Sequence, residues 1–223
     1  MKFFLFILIF GVGFLCGCSR GFEERLLCSV SEIQNHVFVG DCQDINAILI
    51  VGEREIEYKK DGFSTDKIPF AVLSFSSVEK ERLVPTKYSL VVGNDRYSGT
   101  LVSNPYDGSW VVDVGKVGIA DIMVASIWFE NRYIDVVLSS ITENLEVQSS
   151  DVIDILLTQN EVDLKKLNTR QGFCGEIYIK LLGDLKKDSF NLCWCLTIVG
   201  REGDRCNYVF SANTGEMVFM QGL

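Results

Sequence analysis

The chain has 223 residues, 48% hydrophobic and 23% charged, which is ordinary usage for a folded protein and too apolar for a disordered one. Its formal net charge is −9. Phosphate backbones repel such a chain, which makes nucleic acid a poor partner, and anionic headgroups repel it too, so attachment to a membrane is expected to be covalent rather than electrostatic.

The first element is an uncharged run. Lys2 precedes Phe3 to Cys18, a stretch with no charged residue and with Gly11 and Gly13 inside it. It has the size of a signal-peptide core and falls short of the roughly 20 apolar residues that span a bilayer. A buried amphipathic helix would show polar positions at helical intervals, and this run shows none. Its end, Leu15-Cys16-Gly17-Cys18, resembles the lipobox of bacterial lipoproteins: Leu15, Gly17 and Cys18 match, and Cys16 stands where Ala or Ser is commoner. The resemblance implies removal of residues 1–17 and lipidation of Cys18. It also implies a location on the extracytoplasmic side of a cell membrane or outer membrane. One acyl chain holds a protein only marginally, and the lipoprotein pathway supplies several on one Cys. An ordinary secretory signal and a membrane anchor are the alternatives.

Residues 18–44 read as a tether and lead-in. Ser19 to Glu24 is short and polar. In Arg25 to Asp44, Leu26, Leu27, Val30 and Ile33 have roughly helical spacing, whereas Val37 to Val39 suits a short strand.

Residues 45–140 read as strands. Ile45 to Val51 is a nearly continuous apolar run, as in a strand buried on both faces. Glu53 to Tyr58, Pro69 to Val78, Lys87 to Val92, Tyr97 to Val102, Ser109 to Val114, Ile122 to Phe129 and Tyr133 to Leu138 follow. Gly93-Asn94-Asp95-Arg96 is a hairpin signal, and Asn104-Pro105-Tyr106-Asp107-Gly108 is a second strong turn. Short strands separated by turns predict an immunoglobulin-like β-sandwich. Ser139 to Ser149 is the predicted boundary.

Residues 149–223 read as an α+β unit. Ser149 or Ser150 caps a helix whose Val152, Ile153, Leu156 and Leu157 share a face. Strands at Glu176 to Leu182, Phe190 to Val199, Arg205 to Phe210 and Met217 to Met220 make a four-stranded antiparallel sheet. Trp194-Cys195-Leu196-Thr197-Ile198-Val199, followed by Tyr208 to Val218 with its Ser211-Ala212-Asn213-Thr214-Gly215-Glu216-Met217 turn, resembles the PepSY family and the propeptides of thermolysin-type proteases. Ser211 replaces that family's Asp and Met217 its Val. The resemblance implies a cystatin-like shape and a role in restraining or chaperoning proteases, with no catalytic residue to carry over.

Catalytic chemistry finds little support. His36 is the single histidine, no Gly-x-Ser-x-Gly turn exists, and no phosphate-binding loop lies outside the signal. Neither a catalytic site, a metal nor a cofactor is expected. Of the 8 cysteines, Cys16 leaves with the signal and Cys18 takes lipid. Cys28, Cys42, Cys174, Cys193, Cys195 and Cys206 remain, with disulfides, buried thiols and a metal site all open to them. The expected pairing is Cys28 with Cys42 and the last four among themselves, Cys193 and Cys195 lying on one face of a strand. Trp110, Trp128 and Trp194 each fall in a predicted strand, where core packing is their ordinary use. Trp110, which follows a polar loop, is the candidate ligand contact. The reading is therefore a lipid-anchored module that binds an exported protein or modulates a peptidase. The alternative is a surface polysaccharide-binding lipoprotein of a sugar-uptake system.

Overall fold

The computed structural model describes residues 22–56, 65–77, 85–129, 132–166, 168–169, 172–173, 175–183, 191–200 and 205–222. The predicted signal, Cys18 and Cys174 lie outside the described residues. The protein is mostly β, with a large curled antiparallel sheet and few helices.

Helix α1 (Phe22–Cys28) leads directly into β1 (Val30–Cys42), which turns into β2 (Ile45–Glu55). The lead-in thus carries both patterns its sequence suggested, helix first and then a strand of 13 residues rather than a short one. Strands β3 (Lys67–Ser77), β4 (Lys87–Val92), β5 (Asp95–Gly99), β6 (Val102–Ser103), β7 (Trp110–Asp113), β8 (Met123–Trp128) and β9 (Tyr133–Ser140) follow. A 3-10 turn (Ser149–Asp151) opens α2 (Val152–Lys166). After the two-residue strands β10 (Asn168–Thr169) and β11 (Gly172–Phe173) come β12 (Gly175–Leu182), β13 (Cys193–Gly200), β14 (Arg205–Ser211) and β15 (Met217–Gln221). The expected strand at Glu53 to Tyr58 is not separate, since β2 continues through Glu55. Tyr97 to Val102 is divided between β5 and β6.

The sheet is organised around β1. One edge of β1 pairs with β2 along most of its length, and the other edge is shared by two strands. Val30 to Ile33 run parallel to β12, and Phe38 and Val39 pair antiparallel with Ser140 and Ser139 of β9. A register shift at Val30/Glu32 falls within the first pairing, and one at Gln34/His36 separates the two. Such bulges raise local twist and let one strand serve two directions. From β1 the sheet runs one way through β12, β13, β14 and β15, and the other way through β2, β3, β7 and β6. A branch runs from β9 through β8 and β4 to β5.

Strand β2 explains its own apolar run. Ile45, Ala47, Leu49 and Val51 face one core, shared with Leu73 and Phe75 of β3, Leu90 of β4 and Ile127 of β8. Ile48 and Ile50, on the other face, pack against a second core that holds Ile153 and Leu156 of α2 with Trp194, Leu196, Tyr208 and Phe210 of the C-terminal strands. The period-2 geometry of a strand turns both sets inward at once. The predicted boundary at Ser139 to Ser149 is packed: Thr142, Leu145 and Val147 are buried, and the indole N–H of Trp194 donates to the Val147 carbonyl at 2.8 Å. Gln148 holds the segment by donating through Nε2 to the carbonyls of Leu145 (2.8 Å) and Thr142 (3.2 Å).

Two glycines permit close crossings. A Cβ on Gly52 would sit 2.0 Å from the Ile33 carbonyl oxygen, and one on Gly40 would sit 2.1 Å from that of Val137. Neither oxygen can retreat without breaking strand geometry. Gly52→Ala is therefore expected to destabilise the fold by about 3 kcal/mol, the upper part of the overpacking range. Because β1 lines both cores, denaturant unfolding should show one transition, whichever core the probe reports. Urea titrations followed separately at Trp194 and at Trp110 check both points; an unaltered midpoint for Gly52→Ala, or two resolved transitions, contradicts them.

Candidate functional site

Among the described residues no group of three or more His, Cys, Asp or Glu side chains comes together to hold a metal, and no helix is long and apolar enough to cross a membrane. His36 is exposed on β1, its ring 6.4 Å from that of Phe38. It lines a cleft of about 370 Å³ together with Asp121, Glu143 and Gln148. Ser140 also lines this cleft, and its Oγ accepts a hydrogen bond from the Glu143 backbone N–H at 3.2 Å and lies 3.4 Å from Thr142 Oγ1. Those contacts engage it in ordering the chain after β9. A second cleft, of about 440 Å³, lies where β9 diverges from the β1–β2 hairpin, with Asp41, Asn46 and Ser139 on its walls.

Trp110 opens β7 half-buried, its ring edge-on to Phe129 at 6.2 Å and 75°. It packs against the core that contains Phe75 and Ile127, so its ring is engaged inward. The preceding loop is ordered by its own polar groups. Ser109 donates to Asp107 Oδ1 through its hydroxyl at 2.7 Å and through its backbone N–H at 2.8 Å. These bonds hold the Asp107 carboxyl below its ordinary range. Gly108 takes the left-handed φ of 75° that closes the turn. Tyr106, at the tip, is 96% exposed.

Of the expected pairing, only the part that excludes Cys174 falls within the described residues. Cys28 ends α1 and Cys42 ends β1, so the 13-residue strand between them spans roughly 40 Å. A disulfide needs Cα atoms within about 7 Å, and Cys42 is a free thiol. Cys206 stands opposite Ile198 and is buried in the core beside Trp194 and Tyr208. Cys193 and Cys195 alternate with Trp194 on β13 and so share the opposite face of the sheet, as their spacing predicted. No bridge can join Cys206 to either across the sheet, and all three are free thiols. Cys195 Sγ lies 3.8 Å from Thr197 Oγ1, and Cys193 Sγ donates weakly to the Asn191 carbonyl at 3.9 Å. Burial raises the Cys193 thiol above its ordinary pKa.

Two surfaces stand out that single-residue reasoning missed. The first is β15, the terminal strand of the sheet, whose Met217-Val218-Phe219-Met220-Gln221 carries no charge. Among the described residues it pairs with β14 on one side only, and Val218, Phe219 and Met220 are 63%, 52% and 46% exposed. The second is a cross-strand row, Lys87, Trp128 and Tyr133, on the outer face of β4, β8 and β9. Sequence alone locates both strands but does not show which is an edge or which aromatic faces outward.

Peptide mapping without reductant is expected to find no Cys28–Cys42 bridge. A thiol-directed disulfide reagent should label Cys193 more slowly under native than under denaturing conditions, since the pKa raised by burial lowers its thiolate fraction at a given pH. Equal labelling of Cys193 in the two conditions, or a Cys28–Cys42 peptide, contradicts the geometry.

No protein-family model, no curated protein and no solved structure matches this chain. Its function is therefore argued from its own surfaces.

Proposed function

We propose that the protein is a bacterial lipoprotein, anchored through Cys18 on the extracytoplasmic side of a cell membrane or outer membrane. It binds an extended segment of an exported protein, a peptidase or its substrate, by strand addition at β15. In this reading residues 45–140 form an immunoglobulin-like sandwich and residues 149–223 a PepSY-like unit, which need the strand at 30–42 between them.

The observation that carries the proposal is the chemistry of β15. Exposed sheet edges template pairing with other chains, and proteins ordinarily blunt them with charge, Pro or shortness. The other two ends of the sheet follow that practice: β6 has two residues, and β5 begins Asp95-Arg96. β15 has five residues, no charge and no Pro, with apolar side chains exposed from successive positions. An incoming strand gains main-chain hydrogen bonds from the edge and specificity from the side chains that flank it. The helix-plus-sheet arrangement and the Asn213-Thr214-Gly215-Glu216 turn before β15 are in keeping with the PepSY resemblance.

Val218→Lys and Phe219→Lys place charge on the edge without disturbing buried residues. Each is expected to abolish co-isolation of the partner from detergent-solubilised envelopes and to leave the thermal midpoint within a degree or two, as surface substitutions do. In the wild-type complex the β15 amides should gain protection from hydrogen exchange. A partner that binds both variants as well as wild type, or leaves β15 unprotected, points to a different surface. Cys18→Ala is expected to release the protein or leave it unprocessed, read by mass spectrometry of the N-terminus; unchanged processing and membrane retention argue against the anchor.

A further inference from the structure

We infer that the outer face of β4, β8 and β9 is a binding site for an acidic polysaccharide, with Tyr133 and Trp128 as the stacking platform and Lys87 and Arg96 as its cations. This site is independent of β15.

The geometry begins with the strand alternation. Tyr88, Ile127 and Ile134 point into the core, so their neighbours Lys87, Trp128 and Tyr133 point out. These three stand side by side in register. Trp128 and Tyr133 are stacked, with centroids 5.9 Å apart and planes at 23°. Lys87 Nζ lies 5.6 Å from the Trp128 centroid. Tyr133 is 61% exposed. β9 pairs with β1 only at Ser139 and Ser140, so beyond Tyr133 no further strand lies alongside among the described residues. The ring therefore has one side on Trp128 and one side open. The next row on this face, Ser89, Ser126 and Asp135, is small and polar; Asp135 is exposed, while Ser89 and Ser126 are covered, Arg96 Nε donating to Ser89 Oγ at 3.3 Å.

The chemistry follows from this layout. A pyranose ring has an apolar face of C–H bonds about the size of a tyrosine ring and a rim of hydroxyls. The apolar face stacks on an open aromatic ring, while the rim needs nearby donors and acceptors in a shallow setting, which Lys87, Arg96 and Asp135 supply. Charge selects the class of sugar. The whole chain is at −9, yet among the described residues of this face Lys87 and Arg96 outnumber the one acid, Asp135. A locally cationic face on an acidic protein suits a uronate-bearing polymer and disfavours a neutral one. Trp110, the residue that sequence singled out, belongs to β7 on the other side of the core and packs inward.

The test is affinity electrophoresis and calorimetry of the full chain in detergent. The probes are polygalacturonate, hyaluronan, dextran and single-stranded DNA. The expected result is retardation and a measurable heat with an acidic glycan, weakening as salt rises, with quenching or shift of Trp128 fluorescence. Tyr133→Ala should lower affinity at least tenfold and Lys87→Glu at least fivefold, each with a wild-type thermal midpoint. Lys87→Glu leaves the aromatic row in place, so the site remains testable if Tyr133→Ala unfolds. Absence of acidic-glycan binding, preference for dextran or DNA, or binding indifferent to Lys87→Glu overturns the inference.

Discussion

The pairing of β1 with three other strands is the constraint on which the rest of the structure depends. A strand has two edges, and β1 gives one to β2 and divides the other between β12 and β9. Its bulges make the division possible, because each offsets the register and adds twist. Once β1 and β2 are paired, both faces of β2 must be covered. The curled sheet provides one cover and α2 with the C-terminal strands provides the other. The polar content of β1 is fitted to the same task. Gln34 Oε1 accepts from the Leu181 backbone N–H at 3.1 Å, and Glu32 pairs with Lys180 at 2.9 Å, so side chains fasten β12 beside it.

Buried polar groups cluster around this junction. Glu55, 1% exposed at the end of β2, accepts from Ser31 Oγ at 2.9 Å and from the Thr65 backbone N–H at 2.8 Å, both through Oε1. Among the described residues its Oε2 is buried without a hydrogen bond. A carboxylate so placed is costly unless both oxygens are met. Nearby on β12, Glu176 is fully buried and accepts from Tyr178 Oη at 2.7 Å. Apolar residues of the same volume would pack at less cost. The contacts between strands, Ser31 with Glu55, Glu32 with Lys180 and Gln34 with Leu181, instead fix which strand lies against which, since a slip by one residue breaks each of them.

Much of the local structure was legible in the sequence. Lys87 to Val92 and the four C-terminal strands fall within a few residues of their predicted limits, because turn residues bracket them and alternation runs through them. The double burial of Ile45 to Val51 could be read from its nearly continuous apolar run. What could not be read was long-range: the parallel pairing of β1 with β12 leaves no periodic mark, and the Cys28–Cys42 pairing failed because the segment from Val30 to Cys42 was not recognised as one extended strand. The site residues divide the same way. Trp110 was chosen for the loop before it, but burial is decided by which strands pack over a position, and that put Trp110 inward and Trp128 and Tyr133 outward.

The Gln34–Leu181 contact closes a span of 147 residues. Pairings this distant in sequence are slow to form, since loop closure must precede the contacts that reward it. During emergence from a ribosome or an export channel, β1 can pair with β2 and β9 well before β12 exists. Until β12 arrives, the Val30 to Ile33 edge and the apolar Ile48 and Ile50 face stay open to solvent. The C-terminal unit therefore acts as the closing piece of the folding sequence, and a chain cut short before Gly175 retains an exposed sheet edge of the kind that nucleates aggregation.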